Sequence, residues 1–249
     1  MSSSYGKEHI VVLGDSIVAG WGVPGKYSYP ALLQEWLNEG DEGIRYSVSN
    51  AGIPGDTVMG GCLRYERDVR AHAPDTLLIA FGLNDGALPR TPYDARSERR
   101  WRTRHPPWRR MLLCQRGQRV LKRMDGENVL DGQQGGEPRV RPEIFIAGLS
   151  DLVRWGRRDG AAVYLLSLTP VSRQKRSVDQ WRRYTLYDNL IREVARYQSV
   201  PLIDLAEDAD DPFSPASMLA EDGIHLLTTG QVWLARQVYG YLGNERRKE

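Results

Sequence analysis

Ser16 closes the run Val11-Val12-Leu13-Gly14-Asp15-Ser16, in which an apolar, β-branched stretch gives way to a Gly-Asp-Ser turn. A strand that ends this way delivers a hydroxyl to the carboxyl edge of a sheet, where α/β folds hold their ligands. A serine hydroxyl becomes a nucleophile beside a base, and the chain offers one near its other end, in Asp222-Gly223-Ile224-His225. An acid three residues before a histidine can reach the imidazole Nδ1 and fix the tautomer whose Nε2 accepts the serine proton. Attack on an acyl group creates a tetrahedral oxyanion, which fixed N–H donors stabilise. Two turns supply such donors: Gly55, whose N–H no side chain covers, and Asn84, through Nδ2. Each piece also has a plainer use, Ser16 as a helix N-cap, Asp-x-x-His as a surface turn, Gly55 and Asn84 as turn formers. What sets them apart is that all four segments follow expected strands and fall on one edge of the sheet.

Those strands are five short apolar runs bounded by turn residues, at 9–14, 45–50, 76–82, 161–168 and 200–205. Helical spacing fills the intervals: Leu33, Trp36 and Leu37; Phe145, Leu149, Leu152 and Val153; Tyr187, Leu190, Ile191, Val194 and Ala195; and finally Leu234, Ala235, Val238, Tyr239 and Leu242. Strands alternating with helices need right-handed crossovers and a parallel sheet covered on both faces. The expectation is a three-layer α/β/α sandwich around a five-stranded parallel sheet, one domain over residues 1–249. Other uses of such a fold are excluded by their missing motifs. No Gly-Lys-Ser/Thr follows the first strand, no dinucleotide-binding glycine fingerprint joins the end of that strand to a helix, and Val18 stands where a Gly-x-Ser-x-Gly elbow needs glycine.

Taken in order, four motifs resemble those of the SGNH or GDSL hydrolase family, serine esterases on a flavodoxin-like fold. They are Gly14-Asp15-Ser16 with Gly20 and Gly22 beyond, Asn50 through Thr57, Gly82-Leu83-Asn84-Asp85, and Asp222 through His225. The resemblance covers the chain except for an insertion at residues 86–141. It implies Ser16 as nucleophile, His225 as base and Asp222 as the orienting acid. The implied oxyanion donors are the Ser16 N–H, the Gly55 N–H and Asn84 Nδ2, with Asp85 holding local structure. Leu226 stands where many members have proline, and Ile17 where the eponymous motif has leucine. The implied activity is hydrolysis of a small-molecule acyl ester through an acyl-enzyme, without metal or cofactor. An acyltransferase with the same triad is the nearest alternative, and a catalytically idle binding protein a more distant one.

The insertion carries the chain's charge asymmetry. Between Arg90 and Pro142 there are 14 Lys and Arg against 6 Asp and Glu, whereas the whole chain has a net charge of only +2. Its first part interleaves Trp101 and Trp108 with arginines, residues 111–124 have the spacing of a helix, and residues 125–137 are rich in Gly and Gln. It reads as a basic cap or lid beside the cleft. The loop after the fourth strand is also basic and contains Arg173 and Trp181, so Trp101, Trp108, Arg173 and Trp181 are the candidate substrate contacts. Two basic loops around one cleft would draw in an anionic or carrier-bound ester. A solvated lid, or a surface for nucleic acid or membrane, is the competing use. Only two cysteines and four histidines occur, at no metal-ligand spacing, which favours reduced thiols, a cytoplasmic location and no metal.

Overall fold

In a computed structural model of the chain, residues 6–40, 44–104, 106, 115, 118–119, 136–205 and 215–246 are described. Five strands, β1 (Gly6–Gly14), β2 (Ile44–Gly52), β3 (Thr76–Ala80), β4 (Ala162–Leu166) and β5 (Leu202–Ile203), form one sheet in the order β2-β1-β3-β4-β5. Every pairing is parallel. The register aligns Gly14 with Gly52 on one side and with Ala80 on the other, so three strands end level and their following turns share one edge.

Both faces of the sheet are covered, and the two-residue alternation of β1 shows how. Val11 and Leu13 point into one apolar layer with Leu77, Ile79, Phe145 and Leu190, while Ile10 and Val12 point into the other with Leu33, Leu78, Leu234 and Val238. The first layer is closed by α3 (Val58–Asp68), α5 (Pro142–Arg158) and α6 (Val178–Gln198). The second is closed by α2 (Tyr29–Gly40) and α8 (Thr228–Arg246), which pack on each other. Two single-turn helices, α1 (Ser16–Ala19) and α7 (Pro215–Met218), lie in loops after β1 and before α8. No helix among the described residues is long and apolar enough to cross a membrane.

The sheet and the four expected helices, α2, α5, α6 and α8, follow the sequence expectation, and the insertion begins with a further helix. Its first part forms α4 (Pro92–Thr103), with Pro92 in the first turn and a reciprocal capping box between Thr91 and Asp94. This helix packs on α3. Its Trp101 is 1% exposed, lies in the first apolar layer and donates from Nε1 to Asp151 Oδ2 at 3.1 Å. The chain returns to the body where the Arg139 and Val140 N–H groups bond the Ala87 and Asp85 carbonyls at 3.0 and 3.1 Å. The helix expected over 111–124 and the Gly- and Gln-rich stretch after it fall almost wholly outside the described residues, as does Trp108.

Candidate active site

Gly14 lets the turn into Ser16 form. A Cβ there would lie 2.6 Å from the Ala80 carbonyl oxygen and closer still to Val18, so the β1 end can pass its neighbours only as glycine. The next residue, Asp15, caps α1 by accepting from the Ile17 N–H at 3.0 Å, which leaves Ser16 as the first helical residue with its Oγ at the edge. Two buried polar groups fix this turn from behind. Gln231 on α8 accepts from the Tyr29 N–H at 2.8 Å and donates to the Ile17 carbonyl at 3.2 Å. Arg64 on α3 donates to the Gly14 carbonyl at 2.9 Å and the Ala51 carbonyl at 2.7 Å, with Nε on Asp56 at 2.8 Å. The ends of β1 and β2 are thus tied to one guanidinium.

His225 approaches from the segment between β5 and α8, which folds back through an antiparallel bridge between Leu219 and Leu226. Its Nε2 is 3.0 Å from Ser16 Oγ and its Nδ1 is 2.5 Å from Asp222 Oδ2. Asp222 is itself locked, since Oδ1 accepts from the Ile224 and His225 N–H groups at 2.8 and 3.0 Å. Desolvation pushes its carboxyl upward, but the hydrogen bonds from the His225 ring and from those two N–H groups outweigh it and hold the group at about 2. An ionised carboxylate can only accept, so the imidazole proton sits on Nδ1 and Nε2 presents its lone pair to the serine hydroxyl.

Asn84 and Gly55 stand on the two turns flanking Ser16. Gly55 has φ +75°, a conformation that leaves its N–H open, and among the described residues neither that N–H nor that of Ser16 has an acceptor. Asn84 donates from Nδ2 to Asp15 Oδ2 at 3.1 Å and accepts on Oδ1 from Arg139 Nη1 at 3.4 Å. Its amide is therefore oriented from both ends. Asp85 is fully buried and accepts from the Val58 N–H at 2.9 Å, which caps α3 and anchors the Asn84 turn. The exposed Trp21 ring lies 6.5 Å from that of His225, and exposed Ile53 leads into the Gly55 turn.

Beside these turns a cavity of about 270 Å³ runs from Leu83 to Ile224, the neighbours of Asn84 and His225, with Arg176 and Arg183 in its wall. The structure does not bring the four candidate substrate contacts to it together. Trp101 is in the core, because its large ring gains more from burial in the helical layer than from the cleft. Arg173 and Trp181 face each other, guanidinium to ring, at 5.1 Å, and Trp181 stacks on Tyr184, which lines the cavity. Four of the insertion's described arginines are committed to carboxylates. Arg90, Arg102 and Arg141 all pair with buried Glu98, at 2.5, 2.6 and 2.9 Å, and Arg139 pairs with buried Asp94 at 2.9 Å. Sequence reasoning missed Arg64, Arg139 and Trp21, because a charged or aromatic residue inside a helix or turn carries no local sign of its distant partner.

A parallel sheet whose carboxyl edge gathers a serine, a histidine, an aspartate and oriented N–H donors defines the SGNH class of α/β hydrolase folds. Residues 12–233 match the model of the GDSL-like lipase/acylhydrolase family, and the chain belongs to that family. An arylesterase of Vibrio mimicus is 39% identical over 85 residues, 34% of this chain and 42% of the relative. Esterase TesA of Pseudomonas aeruginosa is 42% identical over 77 residues, 31% of this chain and 37% of its own. The matched stretches therefore span less than half the length of these relatives. The fold extends further: a lipase/acylhydrolase of Enterococcus faecalis superposes over 96% of both chains with a TM-score of 0.68 at 20% identity.

Proposed function

We propose that the protein hydrolyses small-molecule esters through an acyl-enzyme on Ser16. The observation that carries this reading is the unbroken hydrogen-bonded line from Asp222 through His225 to Ser16. Ser16 Oγ attacks the ester carbonyl as its proton passes to His225 Nε2, and Asp222 stabilises the imidazolium that results. The carbonyl oxygen, now an oxyanion, is held by the Ser16 N–H, the Gly55 N–H and Asn84 Nδ2. Collapse expels the alcohol, which takes the proton back from His225. Water then attacks the acyl-serine by the same route and frees the acid. The relatives named as esterases support the reaction class.

Ser16→Ala should lower kcat/KM for p-nitrophenyl acetate by about a thousandfold or more with the circular dichroism spectrum unchanged. A correctly folded Ser16→Ala protein that keeps full turnover would overturn the proposal. The proposal includes a cytoplasmic site of action, supported by a sequence with only two cysteines in 249 residues and tested by cell fractionation.

A further inference from the structure

The cavity beside the Asn84 and His225 turns has an unusual wall. Leu83, Leu88, Val171 and Ile224 make most of it apolar, while Arg176 and Arg183 enter it from the loop after β4 and from α6. The Nε atoms of both arginines are buried without an acceptor. Arg176 is held in place by donating from Nη2 to the Asp222 carbonyl, and Arg183 has no hydrogen bond or ion pair among the described residues. The contrast with their neighbours is sharp: Arg182, Arg192 and Arg196 all face carboxylates. No carboxylate side chain lines the cavity among the described residues. Two guanidiniums partly removed from water beside hydrocarbon, with no counterion, are costly as they stand.

We propose that this cavity is a carboxylate-binding subsite and that the substrate is a short ester bearing a carboxylate at its far end. A guanidinium fork matches a carboxylate in two parallel hydrogen bonds, so the substrate supplies the missing acceptors. The apolar wall takes the short hydrocarbon spacer between carboxylate and ester. At about 270 Å³ the space is below the usual range for drug-sized ligands and suits a few methylenes or one ring. The cavity is lined by Leu83 and Ile224, the chain neighbours of Asn84 and His225, which puts the spacer on the side of the site where those two residues stand. The carboxylate can belong to the acyl half or to the alcohol half, and these two arrangements share the same subsite chemistry.

The proposal rests on the hydrolytic reading for turnover but not for binding, so it is tested both ways. Turnover of p-nitrophenyl hydrogen glutarate is compared with that of its methyl ester, and turnover of p-acetoxybenzoate with that of methyl p-acetoxybenzoate. The first pair places the charge on the acyl half and the second on the alcohol half. We expect kcat/KM to favour the charged member of one pair by about tenfold or more, the measure of one charged hydrogen bond. Arg183→Gln should bring that ratio close to one, whereas Arg182→Gln, which removes the same charge from a solvent-facing position on α6, should keep it. In calorimetry, the Ser16→Ala protein should bind monomethyl glutarate more tightly than dimethyl glutarate, and the added Arg183→Gln change should erase the difference. Neutral esters turned over as fast as both charged ones, with no binding difference, would overturn the subsite while leaving the hydrolase reading intact. A binding difference without Ser16-dependent turnover would support the subsite and overturn the hydrolase reading. A ratio lost equally in Arg182→Gln would also overturn the subsite, by showing a diffuse field.

Discussion

Two groups of buried carboxylates, Glu98 with Asp94 and Asp15 with Asp85, are treated in opposite ways. In the insertion, Glu98 and Asp94 are desolvated, yet the arginines around them outweigh that cost and hold both below the usual carboxylate range. Beneath the nucleophile turn, burial dominates instead. Asp15 is pushed up to about 6 and Asp85 well above the ordinary range, with only N–H donors from Ile17, Asn84 and Val58 as partners. The first group of acids exchanges charge for structure, stapling α4 and the returning chain to each other. The second group is held at a cost in stability and orients the Ile17 N–H, the Asn84 amide and the Val58 N–H at the edge where Ser16 emerges.

This contrast predicts mutations of opposite sign. Glu98→Ala should destabilise the fold most, by about 3–5 kcal/mol in urea unfolding, because three arginines lose their common acceptor. A cost below about 1 kcal/mol would place those pairs with ordinary surface salt bridges and remove half of the comparison.

Asp15→Asn should do the reverse. An acid whose folded value lies above its unfolded one weakens the fold as pH rises between the two, here from 3.8 to about 6. Relative to the natural protein, the variant should therefore gain about 3 kcal/mol between those pH values, while losing turnover because Asn84 Nδ2 loses its carboxylate acceptor. A stability difference that does not vary with pH would show that Asp15 is not held at a cost.

Arg139 joins the two regions, with one edge of its guanidinium on Asp94 and Nη1 on Asn84. Arg139→Gln should lower kcat about tenfold with little change in KM, since only the oxyanion donor is misdirected. An equal change in both would assign Arg139 to the structure of the insertion alone.

Much of this was legible in the sequence, and the misses have physical causes. Strand runs such as Val11-Val12-Leu13 announce themselves because both faces of a parallel sheet are buried. The order of Ser16, Gly55, Asn84, Asp222 and His225 along the chain follows from strand ends sharing an edge. Helix α3 carried no such signal. Its Gly60-Gly61 pair lowers helix propensity, yet glycine is needed there because a Cβ would strike Asp56 at one position and the Phe81 ring at the other. The expected strand at 200–205 is narrower in the structure, where only Leu202–Ile203 pair with β4 at the edge of the sheet. The pairing inside the basic insertion was hidden for a different reason: counting charges along a sequence cannot reveal that Glu98 serves three arginines from separate segments. The two arginines that do face the cleft, Arg176 and Arg183, were part of a longer basic run and became distinct only when their neighbours proved to be paired.

The central claim is that Ser16 is the residue acylated by substrate, and mass spectrometry after reaction with a fluorophosphonate ester tests it most directly. The hydrolase account predicts a single phosphonyl adduct on the peptide containing Ser16, lost in His225→Ala because the hydroxyl then has no base. An unlabelled protein, or an adduct on any other residue, would contradict it.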